Sequence, residues 1–311
     1  MYYLKNKTDC SISEPTVLSL GKFDGFHLGH RLLMEQLLQK KKQGLAATIF
    51  TFHIPPRTLV NQVAQRVLLT NQEKRYLLEM TGIDYFVEYP FTKEIRQMEP
   101  RAFLKQITEQ FSVKCIVAGE DFRFGKDRSG DSHTIIEWGK AYGLESIIIE
   151  KRQYHEEEIS STRIREYLLL GKLKEANERL GYPFFLRGGV LHGKQLGRTL
   201  GFPTINQMSP EKKLLPPYGV YVTQAIVRGK TYGAVTNIGK NPTIRAGLPV
   251  VAESFLFDFN EEIYGEEVEI RFLEFLRSEM KFHSLEALKE QMERDAARAY
   301  AFLKVGRKFT P

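Results

Sequence analysis

The sequence predicts an α/β domain built on a parallel sheet, followed by a small antiparallel β-barrel that ends in a helix. Three observations carry this expectation. Apolar runs alternate with amphipathic stretches through the first 180 residues, which calls for a parallel sheet covered on both faces. Beyond Pro183 short strands follow one another across tight turns, the pattern of a small barrel. From residue 285 apolar residues recur at helical spacing. Because the pattern changes near Pro183, the domains are drawn as 1–182 and 183–311.

In chain order, a strand over 16–20 runs into a turn on Gly21 and Gly25, and a helix follows over 29–42 with a lysine-rich last turn and a stop at Gly44. A strand over 45–52 comes next. Thr70-Asn71-Gln72-Glu73 is a capping box that opens a helix, and a strand is expected over 84–89. Pro100 suits the first turn of a helix reaching 111. A strand over 115–118, a helix over 134–142 and a strand over 144–150, apolar on both faces at Ile147-Ile148-Ile149, complete the alternation. Helical segments over 162–170 and up to 180 flank Gly171. Five strands then read as 184–191, 220–227, 231–238, 250–259 and 268–276, with Arg228-Gly229-Lys230 as a tight connection. The last helix has Ser284 as its N-cap and a core stripe of Leu285, Leu288, Met292, Ala296, Ala299 and Phe302.

With 311 residues, 42% of them hydrophobic, the chain is long enough for two cores. Its 45 Lys+Arg exceed its 38 Asp+Glu, giving a formal charge of +7, which suits anionic ligands, nucleotides and nucleic acids alike. The basic residues are dispersed without a basic arm or an aromatic stripe, so no nucleic-acid partner is expected. Two cysteines, Cys10 and Cys115, make no disulfide framework. No apolar run approaches a membrane span, and the N-terminus lacks a signal pattern. The expectation is a cytoplasmic protein with no membrane partner; the sequence leaves its oligomeric state open.

The stretch Gly21-Lys22-Phe23-Asp24-Gly25-Phe26-His27-Leu28-Gly29-His30 delivers two histidines at the start of a helix. Helix N-termini favour anions, and glycines let a phosphate approach the main chain. The same histidines could form half of a zinc site, although no nearby Cys or third His completes one. Ile159-Ser160-Ser161-Thr162-Arg163-Ile164-Arg165 places hydroxyls and arginines at another helix start, as caps or as polyphosphate contacts. Gly119-Glu120-Asp121-Phe122-Arg123-Phe124-Gly125 follows a strand, as a ligand loop or an ordinary turn. In the second half, five glycines fall in the nineteen residues from Gly188 to Asn206, and Glu253 is a carboxylate in a mostly apolar strand.

Together these motifs resemble the bacterial bifunctional riboflavin kinase/FMN adenylyltransferases, also called FAD synthetases. The resemblance implies a Rossmann-like nucleotidyltransferase domain carrying the HxGH signature, followed by a riboflavin kinase barrel. It implies phosphorylation of riboflavin by ATP to FMN, then adenylylation of FMN by ATP to FAD with release of pyrophosphate. Riboflavin, FMN, FAD and ATP would be the partners, with ATP as co-substrate and Mg²⁺ as cofactor.

Residue by residue, the resemblance makes His27 and His30 catalytic. Gly21, Phe23, Asp24, Gly25, Gly29, Ser160, Ser161, Thr162, Arg163 and Arg165 become ATP contacts, with Arg165 the motif arginine. Asp121 and Phe122 fall in the flavin loop. In the barrel, Gly188, Gly193, Lys194 and Gly201 belong to an ATP-covering loop, Thr204 and Asn206 hold the metal, Glu253 is the base, and Arg277 contacts flavin. Two departures stand out: Lys22 occupies a position where the family usually has Asn, and Thr51-Phe52-His53-Ile54-Pro55-Pro56 replaces a Pro-His-Pro loop. Two alternatives remain, a chain with one silent half, adenylylation in particular, and a basic nucleic-acid-binding protein.

Overall fold

A computed structural model describes residues 1–5, 7–53, 66–151, 153–154, 157–193, 197, 200–240 and 250–305. The chain divides by compactness into residues 1–161 and 162–311.

The first unit is a six-stranded, all-parallel sheet in the order β1-β4-β3-β2-β5-β6. Its strands are β1 (Tyr2–Lys5), β2 (Thr16–Leu20), β3 (Ala46–His53), β4 (Tyr85–Pro90), β5 (Val113–Gly119) and β6 (Glu145–Ile149). The helices are α1 (Leu28–Lys41), α2 (Asn71–Glu79), the single turn α3 (Lys93–Arg96), α4 (Pro100–Gln110) and α5 (Ser132–Tyr142). Every residue of β2 is buried, as an apolar run inside a covered parallel sheet requires. The Thr70–Glu73 capping box forms, and Pro100 takes the first turn of α4. Leu18, Leu20, Phe50, Phe103, Phe111 and Ile116 meet in one core. Short β7 (Gln153–Tyr154) and β8 (Glu157–Glu158) pair with each other.

Two expectations change here. β6 is an edge strand, and Ile147, Ile148 and Ile149 are only half-buried, because a single neighbour covers it. β1, read from sequence as no element, pairs with β4 at the opposite edge.

Strand order places β3 and β4 on one side of β2, and β5 and β6 on the other. The order reverses between β2 and β5, and in open parallel sheets ligands bind beyond the strand ends at that crevice. The histidine-bearing turn leaves the end of β2, and the loop from Gly119 leaves the end of β5.

The second unit starts within α6 (Ser161–Leu169), continues with α7 (Leu173–Leu180), closes a six-stranded antiparallel barrel and ends in α8 (Leu285–Val305). Barrel order is β10-β13-β12-β11-β14-β9, from β9 (Phe185–Leu191), β10 (Thr204–Met208), β11 (Gly219–Val227), β12 (Lys230–Lys240), β13 (Val250–Leu256) and β14 (Glu267–Arg277). Arg228 and Gly229, both at positive φ, make the tight turn from β11 to β12. The boundary at 182/183 follows the change of pattern along the chain, whereas packing follows Asn177. This buried side chain donates to the Phe272 carbonyl (2.9 Å) and accepts from the Phe184 N–H (2.7 Å), tying α7 to the barrel.

β10 is a sixth strand where the sequence suggested only a loop. Its inward residue Gln207 is fully buried, with its amide bonded to the Gly188 and Val268 carbonyls (2.6 and 2.8 Å). In α8, Ser284 caps as expected, accepting from the Ala287 N–H. The expected core stripe is corrected, because Leu285 and Phe302 are 53% and 44% exposed while Asp295 and Ala299 are buried. The inward face takes Asp295 because Arg277 of β14 lies opposite it.

Candidate active sites

In the first unit the chain leaves β2 at Gly21 and enters α1 after His27. Phe23 (φ 47°), Gly25 (φ 90°) and Phe26 (φ 35°) all occupy the left-handed region. For the two phenylalanines this stores about 1–3 kcal/mol each, a cost met by burying both rings. Gly21, expected to turn the chain, is not among the positive-φ residues. Its hydrogen makes room instead, since a Cβ there would stand 3.0 Å from the Phe23 ring.

The two imidazoles stack with centroids 3.7 Å apart. His27 folds back over Gly29, where a Cβ would lie 3.2 Å from its ring. Phe23 and Phe26 close on His30 at 5.2 and 6.4 Å. Burial, then the His27 ring, then Lys74 hold His30 well below the ordinary histidine range, so it is neutral near pH 7. Its buried Nδ1 has no hydrogen-bond partner among the described residues.

Asp24 is buried and takes a supporting position. Its Oδ1 accepts from the Leu68 and Leu69 N–H groups (2.9 and 3.1 Å), and its carbonyl accepts from Ser161 Oγ (2.7 Å). The start of α6 is thereby fastened to the glycine turn. Ser160 is half-buried; Thr162, Arg163 and Arg165 follow within α6, with Arg163 bonded to Glu166 (2.9 Å).

Beyond β5, the Phe122 N–H bonds the Gly119 carbonyl (3.1 Å), Phe122 stacks on Phe124, and Phe124 pairs with Gly130. The exposed carboxylate of Asp121 lies 3.6 Å from Lys151. His53, at the end of β3, is bonded to the fully buried Glu88, which also receives the Tyr3 hydroxyl and the Asn71 amide. Burial, reinforced by the Glu88 bond, pushes the Tyr3 phenol up. The rest of that departure, Ile54-Pro55-Pro56, lies outside the described residues.

Lys22 keeps its place through its backbone, since its carbonyl accepts from Lys74 Nζ (2.8 Å) and Thr51 Oγ1 (3.4 Å) while its side chain is exposed. Substitution of Lys for the usual Asn therefore leaves the turn's anchors intact. Sequence reasoning missed Lys74, although a signal existed: it precedes the buried Leu78 by four residues, on the inward stripe of α2.

In the second unit the candidates gather on the barrel wall. β10 alternates Ile205 and Gln207 inward with Thr204 and Asn206 half-exposed on the other face. Asn206, Glu253 and Asn237 stand opposite one another across three adjacent strands. Thr204 Oγ1 donates to Glu253 Oε1 at 2.6 Å. Gly193 is needed beside this row, because a Cβ would run into the Asn206 amide. Gly188 lies within β9 opposite Val268, and Gly201 has φ 87° in open space. Lys194 falls outside the described residues. Inside the barrel, the buried hydroxyls of Thr223, Thr236 and Ser254 form a chain at 2.7 and 2.8 Å.

Arg277 is not brought to this row. Its guanidinium donates to Asp295 (2.9 and 2.7 Å) and to the Ser278 carbonyl, pinning α8 to the barrel.

The first unit thus has the build of a nucleotidyltransferase and the second that of a small-barrel kinase. The FAD synthetase family matches residues 9–163, and the riboflavin kinase family matches residues 180–303. Bifunctional riboflavin kinase/FMN adenylyltransferases of Listeria monocytogenes and Bacillus subtilis are each 35% identical, over 289 and 295 residues and 92% of either chain. That of Escherichia coli K12 is 33% identical over 294 residues, with 93% of each chain covered. The chain belongs to the bifunctional riboflavin kinase/FMN adenylyltransferase family. A solved structure from Streptococcus pneumoniae, described as a macrolide-efflux protein, is similar with a TM-score of 0.85 and 31% identity over 97% of this chain and 99% of that one. No described helix of this chain is long and apolar enough to cross a membrane.

Proposed function

We propose that the chain makes FAD from riboflavin in two ATP-dependent steps, with residues 183–311 phosphorylating and residues 1–182 adenylylating. In the first step the riboflavin 5′-hydroxyl gives its proton to Glu253 as its oxygen bonds to the γ-phosphorus of ATP and ADP departs. An alcohol is a weak nucleophile, and a carboxylate beside a hydroxyl and an amide suits that need. In the second step an FMN phosphate oxygen bonds to the α-phosphorus and pyrophosphate leaves. That nucleophile is already anionic, so the site needs donors and positive charge in place of a base. His27 and His30 offer imidazole N–H donors, the start of α1 offers main-chain N–H groups, and Ser160 and Ser161 offer hydroxyls.

Thr204 and Asn206 would hold Mg²⁺. The fit is chemical: both offer hard oxygens, and the Thr204 proton is already directed to Glu253, leaving its lone pairs available. When bound, the ion would neutralise phosphate charge. Arg277 as a flavin contact would require release from Asp295. Cys10 and Cys115 form no disulfide with each other, which suits a reducing cytoplasm.

The observation that carries the reading is that the stacked imidazoles of His27 and His30 lie in one compact unit and the Thr204–Glu253 pair in the other. The test is to incubate purified protein with riboflavin, ATP and Mg²⁺ and separate the flavins by chromatography. FMN followed by FAD is expected. FMN without FAD would withdraw the adenylylating role from the first unit, and no FMN would withdraw the kinase role from the second.

A further inference from the structure

We propose that Lys74 is a positioning residue of the adenylylating site, its ammonium fixing the Lys22 peptide at the mouth of the glycine turn and standing as a buried cation beside the imidazole pair. The inference rests on the reading of the first unit as the adenylylating one.

Lys74 is 5% exposed, an uncommon state for a lysine, and its Nζ donates to the Lys22 carbonyl at 2.8 Å. The segment it belongs to is fastened to the same turn twice more, through the Leu68 and Leu69 N–H groups on Asp24. The capping box of Thr70 and Glu73 fixes the start of α2 one residue before Lys74. Three bonds from residues 68–74 thus hold residues 22–24. In a trans peptide the carbonyl and the next N–H point opposite ways, so pulling the Lys22 carbonyl toward α2 sets the direction of the Phe23 N–H.

A neutral side chain could make that bond equally well. What the ammonium adds is charge: after burial, the His27 ring and then the Lys74 ammonium hold His30 down, and the Lys22 and Asp24 bonds bring residues 68–74 to this turn. Burial does most to keep the imidazole uncharged; a fixed cation here adds to that and raises the local potential that a polyphosphate meets. Because the cation is buried, it is screened far less than a surface lysine.

The experiment uses the full chain with Lys74→Met and Lys74→Arg. Each variant is assayed for FMN adenylylation and for riboflavin phosphorylation, and the His30 titration is followed by imidazole NMR. Lys74→Met is expected to lower adenylylation kcat/KM about tenfold or more, to leave riboflavin phosphorylation unchanged and to move the His30 midpoint upward. Lys74→Arg should keep most of the activity and the low midpoint. Adenylylation at the parent level in Lys74→Met would overturn the proposal. So would a lowered melting temperature with the His30 midpoint unmoved, the mark of a lysine that only props the fold. Should the parent protein itself make FMN but no FAD, the adenylylating role fails instead, and the NMR titration still decides whether Lys74 acts on His30.

Discussion

In the first unit the two imidazoles sit in aromatic surroundings: His27 is 7% exposed, and Phe23 and Phe26 wall in the half-buried His30. In the second, Thr204, Asn206 and Glu253 stand half-exposed on the outside of a barrel whose interior is filled by other side chains. On the proposed assignment the difference follows the nucleophile. A phosphate nucleophile brings its own charge, so the proposed adenylylating site needs donors and positive charge in place of a base. An alcohol must lose a proton, so a carboxylate has to stand where it can receive one. The comparison teaches that one co-substrate can be used by two unlike chemistries when each is given its own set of residues.

The sharpest way to break this comparison is Glu253→Gln. It should cut FMN formation by about 10³-fold while supplied FMN is still converted to FAD at the parent rate, read by flavin chromatography. If both reactions collapse in a folded protein, the sites are not separate. Next comes His27→Ala, expected to reduce adenylylation by about 10²-fold with riboflavin phosphorylation intact, measured as pyrophosphate release.

A structural contrast follows. Asp295→Ala leaves the Arg277 guanidinium without its carboxylate under α8 and should destabilise the barrel by about 3 kcal/mol in urea unfolding, with His27 and His30 untouched. Unchanged stability would mean that the pair does not hold the helix.

The smallest effect concerns pH. His30 is neutral in the folded unit and has an ordinary value of 6.5 when exposed, so below about pH 6.5 the unfolded chain binds the extra proton and the folded one does not. Stability should therefore fall as the pH drops from 7 toward 5, and His30→Gln should flatten that slope in thermal melts. An identical slope in the variant would show that His30 is not the group responsible.

The parallel sheet was legible because its strands are apolar throughout and alternate with capped helices: β2, the Thr70–Glu73 box and Pro100 behave as their residues require. β10 was not, because a barrel strand that buries Gln207 and shows Asn206 carries no apolar alternation. The sequence suggested a loop there, and only the Gly188 and Val268 carbonyls make that glutamine an inward residue. In α8 the stripe missed Asp295 for a related reason, since that inward position is decided by Arg277 across the gap.

By itself the sequence determined the two-part architecture, the turn with its paired histidines and the carboxylate of Glu253, since each depends on neighbours a few residues away. Tertiary structure alone decided that Asp24 braces Leu68 and Leu69, that Lys74 reaches Lys22, and that Thr204 meets Glu253. Those partners lie 44 to 52 residues apart in the chain, and only the closing of a sheet or barrel brings such distant polar groups within hydrogen-bonding range.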